Sequence, residues 1–161
     1  MYTRTAALSV LRWTNIGKRM IGKCLCGQIV FRVSGTLPYF YQCHCGLCKK
    51  ATGAAASTGF VVGVDKLEWI TGKSKISSYT TEKGFRSDFC NNCGSPVPNK
   101  MNVGEYIWIP AGTLEGSVES RIGAHIFTEN RGSWELDTSN CLVLKNGPDN
   151  IDEFMHSLIR E

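Results

Sequence analysis

Short apolar runs separated by turn signals dominate the pattern of hydrophobic and polar positions. Gln28–Val33 alternates apolar and polar residues, which predicts a strand with one buried face. Leu67–Thr71 and Ile76–Thr80 flank a Gly-Lys-Ser turn signal and are predicted to pair as a hairpin. Further strands are predicted at Ala55–Val64, Arg86–Cys90, Tyr106–Gly112 and His125–Thr128. Turn signals recur about every 8–12 residues, which is typical of an antiparallel, mainly β domain.

Helical spacing is confined to two short segments. Leu47–Thr52 predicts a helical turn that ends at Gly53. Asp149–Arg160 has apolar residues at helical spacing after an Asp or Asn cap, so we expect one short C-terminal helix. Residues 1–19 carry four basic residues and no acidic residue, and they lack a clear period. We expect residues 1–19 to be a disordered arm or an over-called start, and residues 20–161 to form a single domain.

The composition fits a folded domain without a membrane-spanning helix. The chain has 161 residues, of which 42% are hydrophobic and 20% are charged, which is enough for one packed core. Apolar runs fall well short of the roughly 18 residues that a membrane-spanning helix needs. The net charge is +4, but residues 1–64 contain eight Lys and Arg and no acidic residue. This basic part is either an ordinary solvated surface or a site for an anionic partner, such as an acidic substrate or nucleic acid.

Eight cysteines carry most of the functional information. Seven form three clusters and the eighth stands apart: Cys24 and Cys26; Cys43, Cys45 and Cys48; Cys90 and Cys93; and Cys141. Disulfides need an oxidising compartment, but the short apolar stretch Thr5–Leu11 ends at Arg12 and lacks a clear cleavage site for secretion. Spacings of one or two residues also suit a shared metal ion better than cross-links. We therefore expect reduced, metal-binding cysteines in a cytoplasmic protein.

The first and third clusters together supply four thiolates. Residues i and i+2 of an extended strand point the same way, so Cys24 and Cys26 can face one ion. A turn brings Cys90 and Cys93 together, and Gly94 suits the tight bend that follows. Four thiolates make the closed tetrahedral site that is typical of structural zinc. Such a site would join the N-terminal strand to a turn roughly 65 residues further along the chain.

The middle cluster, Cys43, Cys45 and Cys48, has three thiolates and no adjacent fourth. Three protein ligands and one open position are how zinc is held for chemistry, so this cluster is a candidate catalytic site. His44 is expected to face away from the metal if the segment is extended. Cys141 is interpreted as a buried free thiol rather than a fourth ligand. The alternative is that the cluster is a second structural site or shares metal with the first.

Five segments of the chain resemble one known family. They read GKCLCGQIVFRV, YQCHCGLCKKATGAAAS, FRSDFCNNCGSPV, AGTLEG and HIFTENRGSWELD. Their order resembles that of the glutathione-dependent formaldehyde-activating enzyme family, which includes centromere protein V-like proteins. Any one segment alone is a weak signal, whereas the combined order CxCG, CHCxxCxKxxG and FCxxCGS is highly specific.

The resemblance implies a mainly β fold, the zinc-bearing β-tent, in which antiparallel sheets are joined by a four-cysteine zinc site. It implies two zinc ions per chain, the second of them labile. The structural ion would be held by Cys24, Cys26, Cys90 and Cys93. The active-site ion would be held by Cys43, Cys45 and Cys48. The resemblance further implies a carbon–sulfur lyase, with S-(hydroxymethyl)glutathione as the type substrate and glutathione as the small thiol partner.

Residues near the middle cluster are candidates for substrate binding. Positive side chains and backbone amides can bind a substrate carboxylate, and the candidates of this kind are Lys49, Lys50, Thr52, Gly53 and Arg86. His125 is a candidate general acid or base because the ordinary pKa of histidine lies near neutral pH. Surface lysines and strand histidines also occur widely in structural roles. A structural role is therefore the alternative interpretation of these residues.

Two other functions compete with a lyase. A zinc-stabilised module could bind protein or nucleic acid, and the basic N-terminal part of the chain is the feature that favours it. The chain lacks the interleaved aromatic and basic strand motif of RNA-binding domains, so we expect no nucleic-acid partner. A three-cysteine site could also serve as a redox sensor that releases labile zinc when its thiols are oxidised. The sequence determines neither the oligomeric state nor the thiol and aldehyde used.

Overall fold

Strands form most of the regular structure. The computed structural model describes residues 19–135, and all the strands and the α-helix within that range belong to the first of two compact units, residues 1–131 and 132–161. The strands β1 to β10 are Arg19–Lys23, Val30–Ser34, Phe40–Cys43, Ser57–Gly63, Leu67–Thr71, Ile76–Thr80, Arg86–Cys90, Asn99–Lys100, Tyr106–Pro110 and Ile122–Ile126. The helix α1 spans Gly46–Thr52.

The strands form three sheets. One sheet has the order β1-β2-β5, a second has the order β10-β3-β4-β9-β8, and β6 pairs with β7. All pairs are antiparallel except β10 with β3, which are parallel. The predicted mainly β fold with antiparallel sheets is confirmed. The parallel pair was not predicted, because β3 and β10 are far apart in sequence and neither run reveals its partner.

The predicted hairpin between Leu67–Thr71 and Ile76–Thr80 is wrong, although β5 and β6 have the predicted bounds. β5 pairs with β2, and β6 pairs with β7. Gly72 adopts a φ of 73° and begins a 3₁₀ turn, which redirects the chain between the two strands. Trp69 packs edge-on against Phe31 with ring centroids 5.9 Å apart. Burial of this aromatic pair favours β2 as the partner of β5.

The remaining predicted elements meet different outcomes. The predicted turn of helix is α1, which ends at Gly53 in the left-handed conformation. The strand predicted at His125–Thr128 lies nearer the N-terminus in the structure, where β10 spans Ile122–Ile126. The predicted C-terminal helix and the predicted arm lie outside the described residues, except that Arg19 already begins β1. Within residues 19–135, no helix has the length and hydropathy needed to cross a membrane.

Two apolar clusters stabilise the first unit. The larger one joins β2 to the five-stranded sheet and contains Phe31, Val33, Phe60, Ile107 and Ile109. Phe40 extends it by stacking on Phe60, with ring centroids 5.0 Å apart. The smaller cluster contains Cys24, Ile29, Cys90 and Val97, so two cysteine side chains are part of a core. The position of the first and third cysteine clusters is therefore fixed by packing as well as by sulfur chemistry.

Replacing Phe31 with Ala is expected to lower the free energy of unfolding by about 3–5 kcal/mol, because the fully buried ring would leave a cavity. The measurement is urea unfolding with zinc held in excess. Tyr79→Ala is the control, because Tyr79 is 63% exposed and its loss is expected to cost less than about 0.5 kcal/mol. Equal losses for the two variants would contradict the assignment of Phe31 to the core.

Candidate metal centres and the adjoining cleft

Two turns bring the first and third cysteine clusters together. The turn after β1 is closed by a hydrogen bond from Gly27 N to Cys24 O (2.9 Å), and the turn after β7 by one from Gly94 N to Cys90 O (2.9 Å). Gly94 has a φ of 72°, which glycine adopts without strain, as the sequence predicted. Ser95 Oγ accepts a hydrogen bond from Leu25 N (3.0 Å) and so connects the two turns. The prediction that Cys24 and Cys26 share an extended strand is wrong, because they lie in the first turn.

The sulfurs of this four-cysteine cluster fit one tetrahedral metal ion. The Sγ atoms of Cys24, Cys26, Cys90 and Cys93 lie within 4.8 Å of one another. The Cys24–Cys26 sulfur distance is 3.5 Å and the Cys26–Cys90 distance is 3.8 Å. Zinc–sulfur bonds of about 2.3 Å in a tetrahedron place sulfurs about 3.8 Å apart. The cluster can therefore hold a metal ion with little rearrangement.

The two sides of the four-cysteine cluster differ in electrostatics. Cys24 and Cys90 are fully buried, and burial raises the pKa of the Cys90 thiol to about 11. A hydrogen bond with the Ser95 side chain lowers the pKa of Cys93 to about 5. A hydrogen bond with the Asn92 side chain lowers the pKa of Cys26. The cluster therefore presents thiolate character on its outer side and a desolvated thiol within the core.

The middle cluster is built where β3 gives way to α1. Cys43 ends β3, Cys45 caps α1 and Cys48 lies in the first turn of the helix. The Cys45 sulfur accepts a hydrogen bond from Cys48 N (3.4 Å), which fixes its direction. The three Sγ atoms lie within 4.8 Å of one another, so this three-cysteine cluster can also hold a metal ion. Residue 141, the fourth cysteine considered from the sequence, is outside the described residues.

Burial and hydrogen bonding act differently on the three thiols. Desolvation raises the pKa of Cys43 and of Cys48. Burial also acts to raise the pKa of Cys45, but hydrogen bonds from Cys48 N and the neighbouring thiols outweigh it, so that the pKa is lowered. Cys45 is thus the member of the cluster that ionises most readily. Metal binding displaces the protons that the three thiols carry.

His44 faces away from the three-cysteine cluster, as predicted from the alternation of an extended segment. Its Nε2 atom lies 3.2 Å from His125 Nδ1, and the two rings stack with centroids 5.4 Å apart. Arg131 Nε donates to the same His44 atom at 3.4 Å. The next residue of β10, Ile126, pairs with Cys43, which belongs to the three-cysteine cluster. His125 is not among the residues that line the cleft described below, and its role as a general acid or base stays a prediction.

A cleft of about 430 Å³ opens beside the three-cysteine cluster. Its volume is in the range of pockets that bind small molecules. The apolar part of its lining includes Phe85, Met101, Trp108, Ile126 and Phe127. Trp108 lies across Gly59, where a Cβ atom would come within 2.4 Å of the indole nitrogen. Only glycine at that position of β4 lets the indole form this wall of the cleft.

Cationic side chains also line the cleft. Lys83, Arg86 and Lys100 contribute positive charge, and the buried Asp88 contributes one carboxylate. Arg86 Nε donates to Asp88 at 2.8 Å, and Lys100 Nζ lies 3.1 Å from both carboxylate oxygens of Glu105. The hydrogen bond to Asp88 raises the pKa of Arg86 and keeps it charged. Within the described part of the chain, no ion pair forms on Lys83, so its charge is available to a ligand.

Two of the five predicted substrate-binding residues line the cleft, and three do not. Thr52 and Arg86 line the cleft, whereas Lys49, Lys50 and Gly53 do not. Lys49 Nζ donates to the carbonyl of Asn130 at 2.6 Å, and Gly53 N donates to Lys49 O to end α1. Lys49 and Lys50 lie in the last turn of that helix, where positive charge stabilises the helix dipole. Lys49 and Lys50 therefore have structural roles in α1, and their contact with a substrate stays a prediction.

Sequence reasoning missed most of the cleft wall. Tyr41, Lys83, Lys100, Trp108 and Phe127 line it but were not proposed as site residues. Desolvation raises the pKa of Tyr41 to about 12. A polar residue two positions before Cys43 on the same face of β3 is the one signal that could have indicated Tyr41. The others come from separate strands and loops, and their proximity depends on the sheet order.

The family follows from comparison with known proteins. The sequence profile of the family described as glutathione-dependent formaldehyde-activating enzyme matches residues 19–130, more than half of the chain. The chain belongs to this family. The resemblance inferred from the cysteine motifs is thereby confirmed. At the level of the family, the function is glutathione-dependent activation of formaldehyde.

The fold of this family member is also found among solved structures. A crystal structure of a Rhodobacter sphaeroides protein from Northeast Structural Genomics superposes with a TM-score of 0.52 and 21% sequence identity. The match covers 64% of this chain and 99% of that chain. This likeness shows a shared fold. No curated protein matches the chain.

Single substitutions in the two clusters are expected to act differently. Cys93→Ser is expected to abolish cooperative thermal unfolding, because structural zinc sites contribute on the order of 10 kcal/mol to folding. Cys45→Ser is expected to lower the bound metal by one ion and to shift the melting temperature by less than about 4 °C. The two cysteines are a matched pair, since both are partly exposed. The measurements are metal content and differential scanning calorimetry, and identical behaviour of the two variants would refute this division.

Proposed function

We propose that the cleft is the active site of a carbon–sulfur lyase that acts on a thiol–aldehyde adduct such as S-(hydroxymethyl)glutathione. The observation that carries the proposal is the position of three convergent thiols in the wall of a cleft that is also lined by cations. The family's glutathione-dependent function supports a thiol substrate. We propose that the reaction takes place in the cytoplasm, where thiols stay reduced.

We further propose that each chain holds two zinc ions. The four-cysteine cluster would hold a structural ion, and the three-cysteine cluster would hold the second ion with one position open. A bound zinc ion with three thiolate ligands would supply an electrophilic position that keeps a substrate thiol or hydroxyl group deprotonated near neutral pH. The donor set supports zinc, because thiolates select soft or borderline metals. The exposed edge of the three-cysteine cluster toward the cleft is compatible with exchange of the second ion.

The reaction makes or breaks one carbon–sulfur bond. In the synthetic direction the thiol sulfur bonds to the carbonyl carbon, and the proton that leaves the thiol ends on the aldehyde oxygen. The lyase direction reverses both transfers, so neither direction needs an oxidant or a reductant. Lys83 and Arg86 would bind substrate carboxylates and orient the sulfur toward the three-cysteine cluster. The apolar wall formed by Trp108 and Met101 would limit the access of water to the reacting atoms.

The direct test is exchange spectroscopy on glutathione and ¹³C-labelled formaldehyde at equilibrium. The zinc-loaded protein is expected to accelerate interconversion of free aldehyde and adduct above the uncatalysed rate, because bound reactants are held in reacting geometry. Cys45→Ser is expected to return the rate to the uncatalysed value. An exchange rate unaffected by the wild-type protein would contradict the proposed function.

Lys83→Ala is expected to raise the KM for the glutathione adduct about tenfold, because one charge-assisted hydrogen bond to a carboxylate would be lost. Lys50→Ala is the matched control, since Lys50 does not line the cleft, and it is expected to leave KM unchanged. An adduct of 2-mercaptoethanol, which has no carboxylate, should not distinguish Lys83→Ala from the wild type. A greater effect of Lys50→Ala than of Lys83→Ala would contradict this assignment of the cationic wall.

A further inference from the structure

Phe127 has an unfavourable backbone conformation beside the three-cysteine cluster. Its φ of 56° and ψ of 41° lie in the left-handed region, and all the other described residues with positive φ are glycines. The Cβ atom of a bulky L-residue clashes with the backbone in this region, so it is rarely occupied by phenylalanine. Such conformations persist where the surrounding structure enforces them, and they concentrate at functional sites.

Packing of the phenyl ring in the core does not explain why the fold keeps this unfavourable conformation. Phe127 is 56% exposed, and it belongs to neither of the two apolar clusters. An aromatic ring that is mostly in water contributes little hydrophobic stabilisation. Phe127 nevertheless lines the cleft, next to Ile126 and on the same cavity as the three thiols. An exposed aromatic residue in the lining of a cleft can contribute apolar surface to a bound ligand.

The turn that carries Phe127 is anchored to the segment that carries the thiols. His44 N donates to Ile126 O at 3.0 Å, immediately before Phe127. Lys49 Nζ donates to Asn130 O at 2.6 Å, and Asn130 N donates to Phe127 O at 3.1 Å. The two anchoring residues, His44 and Lys49, lie on either side of Cys45 and Cys48 in the chain. The position of the ring is thus tied to the position of the sulfurs.

We propose that Phe127 is a substrate-contact residue that determines specificity, with its ring packing against the carbon chain of the thiol adduct bound at the three-cysteine cluster. This inference rests on the proposed function of the cleft. It also explains why the left-handed conformation is kept, because in this conformation Phe127 lines the cleft and stays outside the core. Lys49, considered from the sequence as a carboxylate ligand, instead holds the turn that presents Phe127.

The test compares Phe127→Asn with the wild type and with Tyr79→Asn. Asparagine tolerates the left-handed conformation, so Phe127→Asn removes the ring and relieves the backbone strain together. The melting temperature is expected to stay the same or to rise by about 2–4 °C. The Kd for glutathione, measured by titration calorimetry on zinc-loaded protein, is expected to rise about tenfold. Tyr79 is also exposed but lies outside the cleft, so Tyr79→Asn should leave the Kd unchanged.

Steady-state kinetics provide a second measurement. Because the ring would contact the substrate equally in the ground state and the transition state, KM should rise while kcat stays unchanged. A melting temperature lowered by Phe127→Asn would show that the ring is retained for stability, and would overturn the inference. An unchanged Kd in Phe127→Asn, with wild-type protein that binds glutathione, would overturn the inference on Phe127 alone. Failure of the wild type to bind glutathione would overturn the proposed function and this contact together.

Discussion

The convergence of four thiols, two of them buried in the core, is the constraint on which the rest of the first unit depends. Cys26 and Cys90 are 64 residues apart in sequence, and their sulfurs are 3.8 Å apart. They join the end of β1, in the three-stranded sheet, to the end of β7, in the two-stranded sheet. Ionised sulfurs at this separation would repel one another. A metal ion bound between them would replace that repulsion with a cross-link.

The strand that carries Cys90 also forms part of one wall of the cleft. β7 runs from Arg86 to Cys90, so the strand that ends at the four-cysteine cluster begins in the cleft. Its hairpin with β6 closes through a hydrogen bond from Thr81 N to Phe85 O (2.8 Å), which holds Lys83 in the intervening turn. The buried Asp88 fixes the guanidinium of Arg86. Loss of a metal ion from the four-cysteine cluster would therefore disturb the charged wall of the cleft as well as the core.

The three-cysteine cluster, at the junction of β3 and α1, differs because all three of its residues line the cleft. Here the chain is turned by a helix cap whose acceptor is the Cys45 sulfur, so a member of the cluster helps to form the local structure. The back of this segment is held by the contact between His44 and His125 and by the anchor from Lys49 to Asn130. One side of the segment thus packs against the rest of the fold, and the other lines the cleft.

The sequence predicted the parts of the fold and site that depend on local pattern. The bounds of β5, β6 and β7 follow from β-branched runs and turn residues, and cysteine spacing divides the seven thiols into the two clusters observed. The pairing of β5 could not be predicted, because it depends on burial of Trp69 against Phe31 rather than on the intervening turn. The charged wall was only partly predicted for a similar reason. Proximity in sequence to Cys48 favoured Lys49 and Lys50, whereas the lysines that line the cleft are Lys83 and Lys100, which lie far from Cys48 in sequence.

The most direct measurement is the number of zinc ions per chain, determined by native mass spectrometry with and without glutathione. We predict two zinc ions on the wild-type chain and one added glutathione on the two-zinc species, because an ion held by three thiolates would have an open position at the cleft. A single zinc ion per chain would contradict an occupied three-cysteine site. Two zinc ions with no bound glutathione at any concentration tested would contradict the assignment of that site to a thiol substrate.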